Sequence, residues 1–179
     1  MKKIISLFCL LIICFLLSGC GSEEATKPDV TGTTTVVKEI VSEDFNRNGT
    51  GKLKCSQEAV AEDGIDVDLS YLVTYKNGNI LELVSIQKVI SQSNSSLDLY
   101  ESAYETISDN YNGLKYYDGV VVRYSNSVTY TITINYDKID IKKLLEIEGE
   151  EDNIIKNGKA KLSLWLDLAG KMGTVCEEV

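Results

Sequence analysis

Strict alternation between Val128 and Tyr136 is the feature that most constrains the fold of this chain. Apolar or aromatic residues at every second position (Val128, Tyr130, Ile132, Ile134, Tyr136) are separated by polar ones (Thr129, Thr131, Thr133, Asn135). A period of two places successive side chains on opposite faces of a strand. One apolar and one polar face are typical of an antiparallel sheet that is covered on one side. If no helix covers the polar side, Thr129, Thr131 and Thr133 form a candidate binding face.

Four further segments predict a sheet of about five strands. The first three are Leu53–Ala59, Leu69–Tyr75 and Ile80–Ile90, and the fourth, Tyr116–Tyr124, forms a hairpin with the alternating strand. Asn77-Gly78 joins the second strand to the third, because both residues tolerate the positive φ of a tight hairpin turn. The third strand is apolar on both faces in its first half, which indicates a central position.

Three helices are predicted between and after these strands. The first is predicted to begin at Ser95 as N-cap, with Asp98 three residues later, and to end at Asn112-Gly113. Its apolar residues recur at spacings of three and four and form one stripe, namely Leu97, Tyr100, Tyr104, Ile107 and Tyr111. Its tyrosines are interpreted as packing on the sheet, with a stacking platform for sugars or bases as the alternative. Asp140–Ile147 and Lys159–Lys171 are the other two helices, and Gly173 ends the last one. The predicted fold class is therefore α+β, a two-layer sandwich with helices on one face of the sheet.

The first twenty residues have the layout of an export signal. Lys2 and Lys3 precede an apolar run, Ile4–Leu17, that is shorter than the about 20 residues needed to span a membrane. The run ends in Leu17-Ser18-Gly19-Cys20, which resembles the lipobox of bacterial lipoproteins. That resemblance implies cleavage between Gly19 and Cys20 and a diacylglyceryl group on the Cys20 sulfur. The alternatives are an uncleaved anchor and an ordinary signal peptide with a chance cysteine.

The lipobox also predicts the domain organisation and the location. Residues 1–19 are the signal peptide, 20–49 a lipidated flexible tether, and 50–179 the folded domain. Two acyl chains would hold the protein stably on a membrane, where one chain holds only marginally. We expect an exported protein on the outer face of the bacterial cell membrane, or on the outer membrane of a Gram-negative cell, since Gly21 follows the cysteine. A competing interpretation pairs residues 33–41 as an edge strand.

The five cysteines divide into three groups. Cys9 and Cys14 leave with the signal peptide, and Cys20 carries the lipid. Cys55 and Cys176 remain as an even pair in an exported chain, which predicts a disulfide between them. Two unrelated buried thiols are the alternative. A zinc site is excluded because two cysteines without any histidine do not complete a four-ligand shell.

Charge and composition exclude several functions. The chain has no histidine, so catalytic Ser-His-Asp and Cys-His arrangements are absent. Its formal charge of −9 becomes −11 without Lys2 and Lys3, which argues against binding nucleic acid or anionic lipid. We predict no cofactor and no metal. The nearest candidate ligands for calcium are Asp63, Asp66 and Asp68, and the alternative is an acidic solvated turn.

The order of these motifs resembles the YehR-like bacterial lipoproteins. The shared features are the Tyr75-Lys76-Asn77-Gly78 turn, a tyrosine-rich helix, the strand Val128–Asp137 leading into Asp140–Leu144, and a final helix ending near a cysteine. These lipoproteins are small envelope proteins with a two-layer α/β domain and no assigned activity. The resemblance covers roughly 52–178, and it implies a fold and a location but no catalytic residues.

We therefore expect a lipid-anchored, non-catalytic envelope protein. It would be a monomer that binds an unknown ligand or partner outside the cytoplasmic membrane. One alternative is an accessory subunit of a membrane complex. Another is a hydrolase of envelope polymers that uses its acidic residues, although the sequence shows neither a cleft nor a fixed pair of carboxylates.

Overall fold

The computed structural model describes residues 46–62, 64–149 and 153–179. These residues form eight strands and three helices. The strands are β1 (Thr50–Glu62), β2 (Ile65–Lys76), β3 (Asn79–Ser91), β4 (Tyr117–Arg123), β5 (Ser127–Asn135), β6 (Ile155–Lys156), β7 (Lys159–Ala160) and β8 (Val175–Glu178). The helices are α1 (Asn94–Asn110), α2 (Ile141–Glu148) and α3 (Leu162–Lys171).

One antiparallel sheet of six strands organises the domain. Its order is β4-β5-β3-β2-β1-β8, with β6 and β7 forming a separate two-stranded hairpin. The predicted α+β class is confirmed, and β3 is central as its two apolar faces indicated. The sheet has six strands where about five were predicted, because the short β8 pairs with β1.

Both hairpins with an Asn-Gly turn have the backbone that this dipeptide favours. Asn77 and Gly78 have φ of 51° and 72° between β2 and β3, as predicted. Asn157 and Gly158, at 54° and 69°, form the same kind of turn between β6 and β7. Lys159 and Ala160 follow this turn and form β7. The last helix therefore begins at Leu162, and the predicted start at Lys159 is wrong.

The first helix has the predicted apolar stripe but a different N-cap. Its whole stripe is buried, namely Leu97, Tyr100, Tyr104, Ile107 and Tyr111. The cap is Ser93, whose side chain accepts a hydrogen bond from the backbone N–H of Ser96, so the prediction of Ser95 is wrong by two residues. Ser93 is in extended backbone, which is the conformation that a capping residue adopts.

All three helices lie on the same side of the domain core, and α1 and α3 cover one face of the sheet. Strand register places Leu53, Val73 and Leu83 side by side on this covered face, and all three are buried. Helix α1 packs over β3, β4 and β5. Helix α3 reaches β2, where the Trp165 ring meets the Tyr71 ring edge-on at 5.5 Å between centroids.

The predicted disulfide between Cys55 and Cys176 is confirmed. The two residues are direct partners in the antiparallel pairing of β1 with β8, and their sulfurs are bonded across a sequence separation of 121 residues. Both side chains are buried on the covered face. The bond thus joins an early strand to the last strand of the described chain.

Candidate functional site

The face of the sheet opposite the helices is the candidate site, and we call it the open face. Its side chains follow from the strand register and comprise Lys52, Lys54, Ser56, Ser70, Leu72, Val84, Ile86, Lys88, Thr129, Thr131, Thr133, Asp118, Val120, Val122, Val175 and Glu177. Helices α1 and α3 lie on the other face, where Tyr104 stacks on Tyr130 and Trp165 meets Tyr71. The three predicted threonines lie on β5 within this face, where each is half-buried between its neighbours.

The open face has an exposed apolar patch on β3, β5 and the edge strand β4. Ile86, Thr131 and Val120 lie opposite one another on β3, β5 and β4. Ile86 is 38% exposed, Val120 is 44% exposed and Val122 beside it is 38% exposed. Exposed β-branched side chains that adjoin one another on a sheet mark an interaction surface more often than isolated ones do. Sequence alternation located the threonines but missed these apolar partners on neighbouring strands, because cross-strand register cannot be read from one segment.

Charged side chains of both signs lie on the open face outside this apolar patch. Lys88 of β3 lies opposite Asp68 of β2, and Lys54 of β1 lies opposite Glu177 of β8. Asp118 of β4 lies beside Thr133. An apolar patch with polar neighbours is the usual anatomy of a protein–protein interface.

The acidic residues proposed as calcium ligands are only partly described. Asp66 and Asp68 are exposed at alternate positions of β2 on the open face. Asp63 lies outside the described residues. Within the described ranges, no group of three or more metal-ligating side chains is brought together.

A buried cluster of tyrosines around Glu148 was not predicted. Glu148 ends α2 and is 5% exposed, and it accepts a hydrogen bond of 3.3 Å from the Tyr111 hydroxyl. Burial raises the pKa of its carboxyl to about 7, and the Tyr111 hydrogen bond opposes that shift. Helical spacing was the available signal, because Glu148 is four residues from Leu144 and seven from Ile141.

The tyrosines of this cluster pack against one another. The rings of Tyr111 and Tyr117 are stacked with centroids 4.1 Å apart, and the hydroxyls of Tyr117 and Tyr130 are 3.0 Å apart. Burial raises the pKa of Tyr111, Tyr117 and Tyr136. Tyr100 and Tyr104 on α1 are also buried, so these rings serve as core and do not form an exposed stacking platform.

The lipid-attachment prediction lies outside the described residues. This applies to Cys20, to the cleavage pair Gly19 and Cys20, and to the competing strand at residues 33–41. Among the helices of the described chain, none combines the length and the apolar character required to cross a bilayer.

The fold defines a class, namely α+β domains with helices on one face of an antiparallel sheet, and two solved structures are similar to this chain. An NMR structure of a Streptococcus pneumoniae TIGR4 protein is 16% identical with a TM-score of 0.47, over 89% of this chain and all of that one. The NMR structure of the E. coli YehR protein is 16% identical with a TM-score of 0.46, over 72% of this chain and 90% of that one. No family model and no curated protein matches. Similarities of this size carry no argument about function, and membership of the YehR-like lipoproteins stays a prediction.

Proposed function

We propose that this protein is a lipid-anchored, extracytoplasmic and non-catalytic domain that binds a protein partner through the open face of its sheet. The observation that carries the proposal is the exposed apolar patch formed by Ile86, Val120 and Val122. A folded domain exposes such neighbouring apolar side chains at a cost in solubility, which a binding surface explains. The lipobox at Cys20 supports the location.

The chemistry of the open face favours binding over catalysis. The apolar patch consists of valine, isoleucine and threonine side chains on β3, β4 and β5. The carboxylates of Asp66 and Asp68 lie outside it on β2. The chain contains no histidine to act as a general base. Hydroxyl groups of threonine donate and accept hydrogen bonds, so Thr129, Thr131 and Thr133 give such a surface polar specificity.

Site-specific photo-crosslinking in intact cells tests this function. A photoreactive amino acid replaces Thr131 on the open face, and in a matched control it replaces Ser163, an exposed residue on α3. We expect one recurrent crosslinked protein from position 131 and none from position 163. The crosslink should disappear when Ile86→Asp places a charge in the apolar patch.

The same experiment separates the alternatives. A crosslink that persists with Ile86→Asp, or equal crosslinking from both positions, would contradict binding through the open face. A recurrent integral-membrane protein that is lost with Cys20→Ala would identify an accessory subunit of a membrane complex. A soluble partner that is retained with Cys20→Ala would identify an independent binding protein.

A further inference from the structure

The outer edge of β4 offers unpaired backbone groups. Strand β4 ends the sheet and pairs only with β5 among the described strands. The hydrogen bond of 2.8 Å from the Tyr124 N–H to the Ser127 carbonyl shows which residues of β4 point their peptide groups toward β5. Alternate residues of an antiparallel strand point their peptide groups to opposite sides. Val120 and Val122 therefore direct their N–H and C=O groups at β5, whereas Gly119, Val121 and Arg123 direct theirs outward.

This edge carries few of the features that protect free edges. Natural sheets blunt their edges with proline, charged side chains (lysine above all), bulges or a covering element. Strand β4, with the sequence YDGVVVR, has no proline and no lysine, and its register with β5 is continuous. Its two charged residues, Asp118 and Arg123, lie near its ends and leave Gly119–Val122 without a charge. The Gly119 carbonyl is covered by the Ser108 hydroxyl of α1, which donates to it at 3.3 Å. No comparable hydrogen bond from the described residues of α1 reaches the peptide group of Val121, two residues further on.

Helix α1 places negative charge along this edge. Its acidic residues recur at spacings of three and four and so share one side of the helix: Asp98, Glu101, Glu105 and Asp109. Arg123 of β4 meets the first two, at 3.3 Å from Asp98 and 3.6 Å from Glu101. Glu105 is one turn from Glu101 and one turn from Ser108, both of which contact β4, and it therefore lies alongside Val121.

The negative charge along the middle of the edge is not neutralised by the described residues. Glu105 and Asp109 are exposed, and neither forms an ion pair within the described ranges. Arg123 is at the C-terminal end of β4 and reaches only the first two turns of α1, as far as Glu101. A positively charged side chain from outside the domain would meet this charge, which is electrostatic complementarity of the kind that selects partners.

We infer that the β4 edge accepts an extended basic segment of a partner protein as a seventh strand. Residues of that segment opposite Gly119 and Val121 lie on the helix side and carry lysine or arginine toward Glu105 and Asp109. Residues opposite Val120 and Val122 lie on the open face and are apolar or β-branched. The partner is thus recognised by alternation of basic and apolar residues along a strand. The inference rests on the proposed function, since the added strand extends the open face.

Binding of a synthetic peptide tests the inference directly. The probe is a peptide of about eight residues, a usual strand length, that alternates lysine with valine or threonine. Titration into the 15N-labelled protein should shift the backbone amide signals of Gly119, Val121 and Arg123. A matched peptide with glutamate in place of lysine, and one with N-methylated backbone at alternate positions, should each bind at least about tenfold more weakly.

Protein variants complete the test. Glu105→Lys combined with Asp109→Lys should weaken the lysine peptide by about tenfold or more, whereas the charge reversal Glu177→Lys on the opposite edge should not. Val121→Pro removes an outward N–H at a position where edge strands accept proline, and it should abolish binding. The charge-reversal pair keeps the test decisive if Val121→Pro does not fold.

Three results would overturn the inference. These are amide shifts that avoid β4, equal binding of the lysine and glutamate peptides, and self-association through the edge that Val121→Pro abolishes, since a second copy would then be the occupant. A positive Thr131 crosslink with a negative peptide titration would leave the proposed function intact and remove only this inference. Peptide binding at β4 without a Thr131 crosslink would instead remove the open face as the binding surface.

Discussion

At the scale of single residues, Glu148 has the environment with the clearest consequence. Its carboxyl is buried beside tyrosine rings, accepts one hydrogen bond from Tyr111, and lies at the C-terminal end of α2. The partial negative charge at a helix C-terminus adds to the cost of ionising a carboxyl there. The pKa of the Glu148 carboxyl is therefore raised to about 7, and below that pH the folded domain favours the neutral acid.

Stability should consequently decrease as the pH rises toward neutrality. The pKa of Glu148 is about 7 in the folded state against an ordinary value of 4.5, so the folded state binds the proton more tightly. The stabilisation that proton binding at Glu148 gives the folded state is complete below about pH 4.5. It is lost as the pH rises from there to about 7, and above about pH 7 the stability no longer changes with this group. The stabilisation is on the order of 3 kcal/mol. Urea denaturation across this range, for the wild type and Glu148→Gln, measures it.

The Gln variant is the control for all other titrating groups. Its amide keeps the size of the side chain but does not ionise, so the difference in unfolding free energy between the two proteins isolates Glu148. A difference that stays constant between about pH 4.5 and 7 would contradict the assignment.

Gly119 is required for the close approach of α1 to β4. A Cβ atom at this position would be 2.7 Å from the Ser108 hydroxyl oxygen and 3.1 Å from that of Tyr130. We expect Gly119→Ala to lower the free energy of unfolding by about 1–3 kcal/mol, as overpacking does. The double variant with Ser108→Ala should recover part of the loss, because the nearest atom is removed. Thermal unfolding of Gly119→Ala, Ser108→Ala and the double variant measures the recovery. If the two single losses of unfolding free energy add up to that of the double variant, the contact between the two residues is not the cause.

At the scale of secondary structure elements, β8 depends on its covalent bond. The strand has four residues, and among the described strands it pairs only with β1. We expect the double variant Cys55→Ala, Cys176→Ala to lose about 4–5 kcal/mol in the chain-entropy model of disulfides. Hydrogen exchange should show faster exchange of β8 amides than of β3 amides in the variant. Unchanged protection of β8 would mean that its pairing with β1 is sufficient without the bond.

The N-cap of α1 can be tested by a pair of alanine variants. Ser93→Ala removes the hydrogen bond to the Ser96 N–H and should cost about 1 kcal/mol. Ser95→Ala removes only a contact between hydroxyls, 2.9 Å from Ser93, and should cost less. Chemical denaturation of both proteins compares them, and the reverse order of stabilities would restore the cap predicted from sequence.

These elements show which parts of the fold are readable from sequence. Alternation predicted β5 and its two faces, since each face has a different solvent exposure along one uninterrupted segment. The cap was misplaced because Ser93 and Ser95 are equally able to cap and local sequence does not choose between them. Strand β8 gave no local signal, since its position depends on pairing with a strand more than a hundred residues earlier. The turn at Asn157-Gly158 was visible, but its flanking strands of two residues are too short to alternate.

The candidate site was readable to the same extent. Thr129, Thr131 and Thr133 came from one strand, whereas Ile86, Val120 and Val122 joined them only through the register of three strands. Glu105 beside β4 required knowledge of how α1 lies on the sheet. The sequence therefore predicted the threonine face of β5, and the tertiary structure was needed to find the side chains on β3, β4 and α1 that lie beside it.

At the scale of the whole molecule, we propose that lipid attachment at Cys20 decides where the domain acts. We expect wild-type protein in cells to incorporate labelled palmitate and to fractionate with membranes. Cys20→Ala should lose the label entirely, because the acceptor sulfur is absent. Cys14→Ala, which changes a cysteine inside the apolar run, is the matched control and should keep it. Retained label in the Cys20 variant would contradict the lipobox.

The two edges of the sheet are at opposite ends of the domain. The start of β1 and the end of β8 lie together, where the Val179 N–H donates to the Lys52 carbonyl at 3.0 Å. The β4 edge is five strand spacings away, about 24 Å. Tension applied to the N-terminal end of β1 would pass into β8, the edge strand beside it, through the Cys55–Cys176 bond. In the proposed arrangement, the tether would pull at the β8 side of the sheet and a partner strand would bind at the opposite β4 edge.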